Sequence, residues 1–315
     1  MKRKIISLIC VLSTLSTVAY AAPIDTLKED TVTGNIILSG DFSAQCGYSV
    51  LLLKPNIDAS SLSDATDENI MEKTAYMLNT STQDGKYNIE IPMSADNPSG
   101  VYTVSVRSAI GSEPTRQTIT WYNPEEIANI FEKLKNSTSE NDILTVINSE
   151  ENCNKLGISY ELLKNLSSND KTVIAQGLYN SKNDIIDIES LQNIFNDIAV
   201  LKALPSSKSN EEAKNIILNY AESLDIADSG LFKKYSNKDA EYQKSAASKL
   251  IGESIDTTSK FAELFEISIF LTDINYASSA TDVNKILNEN KNLLSSKTDK
   301  YFTKSNTSAY DKKLA

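Results

Sequence analysis

A frame of one serine, an acidic residue three positions later and then an apolar pair occurs three times in this chain. It reads SENDILTVI at 139–147, SNEEAKNII at 209–217 and SATDVNKIL at 279–287, an ungapped period of about 70 residues. In each copy the apolar residues occupy positions i, i+3 and i+4, which lie on one face of a helix. A repeat of this length predicts stacked copies of one helical unit.

The serine and the acid of each copy have the spacing of a helix-capping box. In such a box the serine hydroxyl accepts a hydrogen bond from the backbone N–H of the third helical residue, whose acidic side chain accepts one from the serine N–H. Each box stabilises its helix by about 1 kcal/mol. We therefore predict structural caps rather than catalytic groups at three pairs: Ser139 and Asp142, Ser209 and Glu212, Ser279 and Asp282.

A change of hydrophobic period marks a domain boundary near residue 123. The sequence Asn123-Pro124-Glu125-Glu126 combines a capping side chain, a proline at the first helical position and acids in the first turn. These features are typical of a helix start. We predict an all-α repeat domain at 123–315, with capped helices starting at 139, 209 and 279. Its last copy is incomplete: either the chain ends on an imperfect unit or the natural protein continues past Ala315, and the second alternative is slightly favoured.

Short runs of alternating apolar and polar residues fill the segment from 31 to 122. The clearest are GKYNIEI at 85–91, which ends at a proline, and VYTVSV at 101–106. Turn residues separate these runs from others, such as YSVLLL at 48–53 and TRQTITWY at 115–122. About six or seven such strands predict an antiparallel β-sandwich at 31–122.

Several of these runs carry a family resemblance. The stretches are TVTGNIILSG, YSVLLLKP, STQDGKYNIEIPM, NPSGVYTVSV and TITWYNPEE. Together they resemble the Ig-like β-sandwich domain of secreted and surface proteins of Gram-positive bacteria, and helical repeats of this kind resemble, more weakly, those found in such proteins. The resemblance implies a multidomain fold, an N-terminal Ig-like antiparallel β-sandwich followed by an all-α helical repeat domain. It specifies a fold much better than a ligand.

The N-terminus has the pattern of an export signal. Three basic residues at 2–4 precede an apolar run at 5–18 that is too short to span a bilayer, and an A-x-A sequence follows at 19–21. We predict a signal peptide at 1–21 and a linker at 22–30. The mature protein is then secreted, either extracellular or associated with the cell surface. Neither a sortase-type LPxTG sequence nor a transmembrane tail is present.

Composition removes several classes of function. The chain has 31 Lys and Arg against 42 Asp and Glu, so nucleic acid is not an expected partner. It has 0 histidines, which excludes Ser-His-Asp and Cys-His nucleophile systems and His-ligated zinc. The two cysteines beyond the signal, Cys46 and Cys153, favour two small buried side chains, with a bridge between domains as the alternative.

Two features outside the caps are candidate binding sites. Trp121 and Tyr122 close the last predicted strand and could stack on a glycan, although Trp121 is in phase with Ile119 and a core position is the favoured interpretation. A long acidic segment offers oxygen ligands for calcium at Asp64, Asp67 and Glu68, with Asp58 and Glu72 nearby. No EF-hand spacing is present, so a solvated loop is favoured and no cofactor is expected.

These observations favour a secreted, non-catalytic binding or scaffolding protein that presents its two modules at or near the cell surface. The expected partner is a cell-surface glycan or protein. The alternative is an accessory substrate-binding part of an extracellular polysaccharide-degrading system. A third possibility is an enzyme that uses an unrecognised pair of carboxylates, which would need to face each other across a cleft.

Overall fold

The structure, a computed structural model, describes residues 24–30, 33–62, 67–109 and 113–290. The predicted signal peptide at 1–21 lies outside these residues. Contacts divide the chain into two compact units, Met1–Asn129 and Ile130–Ala315, and the two are described separately below.

The described residues of the first unit include seven strands and a short α-helix that precedes the fourth strand. The strands are β1 (Thr26–Glu29), β2 (Ile36–Asp41), β3 (Cys46–Leu53), β4 (Thr74–Thr82), β5 (Lys86–Ile91), β6 (Gly100–Ser108) and β7 (Thr115–Trp121). Helix α1 (Asp67–Lys73) lies directly before β4. β1 falls in the segment predicted to be a linker, where Thr26–Glu29 pairs with the start of β2. α1 falls in the segment predicted to be an acidic loop.

The strands form two antiparallel sheets. One has the order β1-β2-β5 and the other β4-β3-β6-β7. In the register of β3 and β6, Val50 lies opposite Val106 and Leu52 opposite Val104, and all four side chains are fully buried. Alternate residues of these strands therefore supply one apolar cluster, as period-2 patterning requires.

The predicted fold class, an Ig-like antiparallel β-sandwich followed by an all-α helical repeat domain, is wrong. Two small sheets of seven strands, not a clear β-sandwich, precede the helical region. About 49% of the described residues are helical and about 19% are in strands, which makes this a mixed α and β fold. Alternation shows which side of each strand is buried, but it does not determine how strands are divided between sheets or how many helices accompany them.

The helical region begins at the predicted proline. Its helices are α2 (Pro124–Lys135), α3 (Glu140–Ile147), α4 (Glu150–Leu156), α5 (Glu161–Lys164), α6 (Ser168–Asn180), α7 (Ile188–Ala203), α8 (Asn210–Asn219), α9 (Gly230–Ser236), α10 (Ala240–Ala247), α11 (Thr258–Tyr276) and α12 (Ala280–Glu289). The N-caps of α7 and α11 are Asp187 and Thr257, which keep the spacing of the repeated frame. The N-caps of α6 and α10, Ser167 and Asp239, are not separated by this spacing, so aligning the two copies along their whole length requires gaps.

Equivalent apolar positions of the first two copies are equally buried. Ile143 and Ala213 are fully buried, and Val146 and Ile216 are each 7% exposed. In the third copy, Ile286 and Leu287 of α12 are partly buried and pack against Ile267 and Phe270 of α11. The other side of α11 contributes to the main core of the second unit. The apolar residues of α11 are therefore spread around the helix and not confined to one face.

Candidate functional site

Trp121 lies in the core of the first unit. Its side chain is 1% exposed, and its Nε1–H donates a hydrogen bond to the Gly34 carbonyl oxygen at 2.7 Å. The Tyr102 ring packs edge-on against it at 6.2 Å, and the Tyr102 hydroxyl donates to the Pro98 oxygen at 2.6 Å. The indole face is therefore covered by protein, as the core interpretation requires. Tyr122 is partly exposed.

Ser139 is the N-cap of α3. Its hydroxyl accepts a hydrogen bond from the Asp142 N–H, and the Asp142 carboxylate accepts one from the Ser139 N–H at 3.0 Å. The N–H of Thr138 donates to the same carboxylate at 2.9 Å. These donors lower the pKa of Asp142, with the Thr138 N–H as the largest cause. Both members of the box hold the start of the helix.

The second and third caps differ from the first in detail. Ser209 accepts from the Glu212 N–H, but the Glu212 carboxylate accepts from the Lys208 N–H and from the Asn165 side chain. At the third cap, the Ser279 hydroxyl donates to the Asp282 carboxylate at 2.7 Å. Each acid stabilises a helix start through a slightly different set of donors.

The acidic segment is only partly described. Asp64 lies outside the described residues, and Asp67 and Glu68 belong to α1. The Asp58 carboxylate accepts from the Ser60 N–H at 2.8 Å, which is the largest cause of its lowered pKa; the charge of Arg116 contributes less. Among the described residues, no group of three or more acidic or cysteine side chains is placed to hold a metal ion.

Both described cysteines are free and buried. Cys153 in α4 donates through Sγ to the Ile147 carbonyl oxygen at 3.1 Å. Burial raises the pKa of Cys153 to about 12, which keeps the thiol protonated and unreactive. A packing role, as predicted, fits these contacts.

A group of interacting polar side chains lies where α9, α10 and the C-terminal end of α11 meet. We call it the α9–α11 surface and define it by five residues: Lys234, Lys238, Tyr242, Asp273 and Tyr276. None of them was identified from the sequence. Residues 230–250 contain five lysines and two acids, although the whole chain is acidic.

The corner between α9 and α10 is held by the side chain of Gln243. Its amide nitrogen donates to the carbonyl oxygens of Tyr235, Ser236 and Lys238 at 3.0–3.2 Å. The Tyr235 hydroxyl donates to the backbone carbonyl oxygen of Gln243, and both side chains are buried. Because buried polar groups that are fully hydrogen-bonded make a rigid structure, Lys234 and Lys238 project from a fixed corner.

Asp273 connects this corner to α11. One carboxylate oxygen accepts a hydrogen bond from the Tyr242 hydroxyl at 2.8 Å, and the other lies 2.5 Å from the Lys234 ammonium group. The Asp273 side chain is 13% exposed and that of Lys234 is 46% exposed. Burial raises the pKa of Tyr242, and its bond to Asp273 raises it further. Tyr242 is therefore a fixed donor and not a base at neutral pH.

The exposed part of the surface combines an aromatic ring with cations. Tyr276 is 50% exposed, and its ring meets the buried Tyr242 ring edge-on at 5.3 Å. The Lys238 ammonium group lies 5.1 Å from the centre of the Tyr242 ring. A half-exposed ring packed against Tyr242, with one ammonium group near the Tyr242 ring and another on the Asp273 carboxylate that Tyr242 bonds, can hold a ligand that has both a flat apolar face and negative charge.

The first copy of the repeat lacks this arrangement. At the repeat spacing, Asp273 and Tyr276 correspond to Ala203 and Ser206, and α7 ends at Ala203 while α11 continues to Tyr276. Residues 160–180 contain two lysines and two acids, in contrast to the basic segment of the second copy. Residues that differ between the two copies at equivalent positions were the one sequence signal that could have indicated this surface.

Comparison with family models, curated proteins and solved structures found no match to this chain. The resemblance of the strand motifs to Ig-like domains is neither supported nor opposed by these comparisons, and it stays a prediction. Across the described residues, each helix is too short or too polar to cross a membrane.

Proposed function

We propose that this chain is a secreted, non-catalytic binding protein that acts at or near the cell surface and binds an acidic glycan through the α9–α11 surface. The observation that carries the proposal is the half-exposed Tyr276 ring, which packs edge-on against Tyr242. The Lys238 ammonium group lies 5.1 Å from the centre of that Tyr242 ring, and the Tyr242 hydroxyl shares the Asp273 carboxylate with Lys234.

The chemistry of a sugar fits the two parts of this surface. The C–H groups on the face of a sugar ring pack on a flat aromatic ring, which Tyr276 presents with support from Tyr242. A carboxylate on the sugar accepts charge-assisted hydrogen bonds from an ammonium group, which Lys238 and Lys234 supply. Since the Lys234 ammonium group already forms an ion pair with Asp273, Lys238 is the stronger candidate for the contact with a carboxylate of the ligand.

The internal comparison supports binding over packing as the role of Tyr276. A residue needed only to stack the copies is expected in each copy, as the buried stripe of α3 and α8 is. Tyr276 and Asp273 are instead specific to one copy. Exposed aromatic residues with fixed polar neighbours are typical of binding sites.

The experiment is a binding assay with the chain from residue 22. Polygalacturonate and hyaluronan are the acidic probes and dextran is the neutral one. Wild-type protein is compared with Tyr276→Ala and Lys238→Glu, and Lys133→Glu is the matched control because Lys133 is an exposed lysine of α2. We expect binding to an acidic probe that both site variants lose and the control keeps. No binding to either acidic probe, or equal binding by all variants, contradicts the proposal; capture of a protein instead would favour a protein partner.

A further inference from the structure

Within the described residues, strand β4 is one end of the four-stranded sheet. It pairs with β3 and, among the described residues, with no other strand. Its nine residues, TAYMLNTST, include no charged side chain. From Met77 to Ser81 it pairs with β3 in regular register, and Met77, Asn79, Thr80 and Ser81 are exposed. The regular part of this edge can therefore accept another strand.

The other strands at the ends of the two sheets carry charge. β1 has Lys28 and Glu29, β5 has Lys86 and Glu90, and β7 has Arg116. Charged side chains on an edge strand oppose pairing with a further strand, because the incoming chain would bring them close to other groups or remove them from water. β4 alone among the described end strands lacks this protection.

We propose that a second copy of this chain adds its β4 to this edge, antiparallel and around a two-fold axis, so that the sheet continues from one subunit into the other. Because β4 has no charged side chain, it can pair with its own copy without bringing like charges together. Elsewhere on this acidic chain, contact between two copies would bring negative charges together. This argument favours a second copy over an unrelated charged peptide.

The position of Met77 suggests the register. Met77 is 39% exposed and is a large apolar side chain on this edge strand. If Met77 lies opposite its own copy across the axis, the two thioether side chains cover each other on the outer face of the sheet. One strand pair supplies only part of the roughly 1,600 Å² of a standard interface, so the dimer should be reversible.

Analytical ultracentrifugation of the chain from residue 22, from about 1 µM to about 1 mM, tests the proposal. The edge variant is Met77→Lys, with Asn79→Lys as a second edge variant should the first fail to fold. The control is Val101→Lys, because Val101 is 54% exposed but lies on β6, inside the same sheet. Far-UV circular dichroism checks that each variant is folded.

We expect concentration-dependent dimers for the wild type and for Val101→Lys, and monomers for the edge variant over the whole range. Hydrogen exchange should show that those backbone amides of 76–81 that point away from β3 become protected as the concentration rises. A wild type that stays monomeric at about 1 mM, an edge variant that dimerises as the wild type does, or a control that is monomeric too would each overturn the proposal.

Discussion

The Tyr242 hydroxyl donates a hydrogen bond to the Asp273 carboxylate at 2.8 Å, from the first turn of α10 to the last turn of α11. This bond joins two helices of the second unit; Lys234 pairs with the same Asp273 carboxylate, and the Tyr276 ring packs against the Tyr242 ring. It is absent from the first copy, where Ala203 occupies the position of Asp273.

Replacing Tyr242 with phenylalanine should destabilise the protein. The ring contacts remain, but Asp273 loses a donor in a mostly buried position, and hydrogen bonds to charged groups contribute about 1.5–3 kcal/mol. Urea denaturation followed by far-UV circular dichroism measures the change. Tyr276→Phe is the control, because Tyr276 is half-exposed, and it should change the free energy of unfolding by less than about 0.5 kcal/mol. Equal effects of the two substitutions would count against the Tyr242–Asp273 bond.

The single tryptophan should report on the first unit and not on ligand binding. Trp121 is buried, and its indole N–H is bonded to Gly34. We expect blue-shifted emission that acrylamide quenches weakly in the native protein and strongly in urea. An acidic glycan that binds the protein should leave this emission unchanged. A ligand-induced shift, together with protection from acrylamide, would instead place the ligand at Trp121 and Tyr122.

Removal of a cap serine should weaken the helical unit by a small, measurable amount. Ser209→Ala removes the hydroxyl that accepts from the Glu212 N–H, at an expected cost of about 1 kcal/mol. Ser254→Ala is the matched control, since Ser254 is exposed and precedes the cap of α11. Denaturation midpoints compare the two. An unchanged midpoint for Ser209→Ala would remove the capping role from this serine.

Stability should fall at acid pH through the capping carboxylates. Hydrogen bonds lower the pKa of Asp142, mainly from the Thr138 N–H, that of Asp187, mainly from the Ser190 N–H, and that of Asp282, mainly from the Ser279 hydroxyl. Because the folded pKa lies below the unfolded value of about 3.9, this stabilisation is complete above that value. It is lost as the pH falls through the lowered folded values.

Urea titrations at about pH 5 and about pH 3 test this pH dependence. The wild type should lose stability between these two values. A variant with asparagine at positions 142, 187 and 282 should be less stable at the higher pH, and it should lose less between the two. Parallel losses in both proteins would show that other carboxylates cause the acid sensitivity.

Local sequence patterns predicted the local structure well. The alternation in GKYNIEI corresponds to β5, and the proline at 124 begins α2. Ser139 caps α3 because its hydroxyl needs to reach only three residues along the chain. Such features depend on neighbours in sequence, which a single sequence displays directly.

Long-range features were predicted poorly. The division of strands into two sheets depends on pairings such as Ile36 with Ile91, which alternation alone does not determine. The contact of Tyr242 with Asp273 likewise depends on how α10 packs against α11, and each residue alone resembles an ordinary surface tyrosine or acid. Only the difference between Asp273 and Ala203 across the repeat was visible in the sequence.

The most direct test of the account is a calorimetric titration of polygalacturonate into the wild type, Lys238→Glu and Lys133→Glu. We expect saturable binding by the wild type that weakens with added salt, because the contact joins an ammonium group and a carboxylate. Lys133→Glu should bind as the wild type does, and Lys238→Glu at least about tenfold more weakly, which corresponds to about 1.4 kcal/mol. Equal affinities for the two variants would contradict the assignment of binding to the α9–α11 surface.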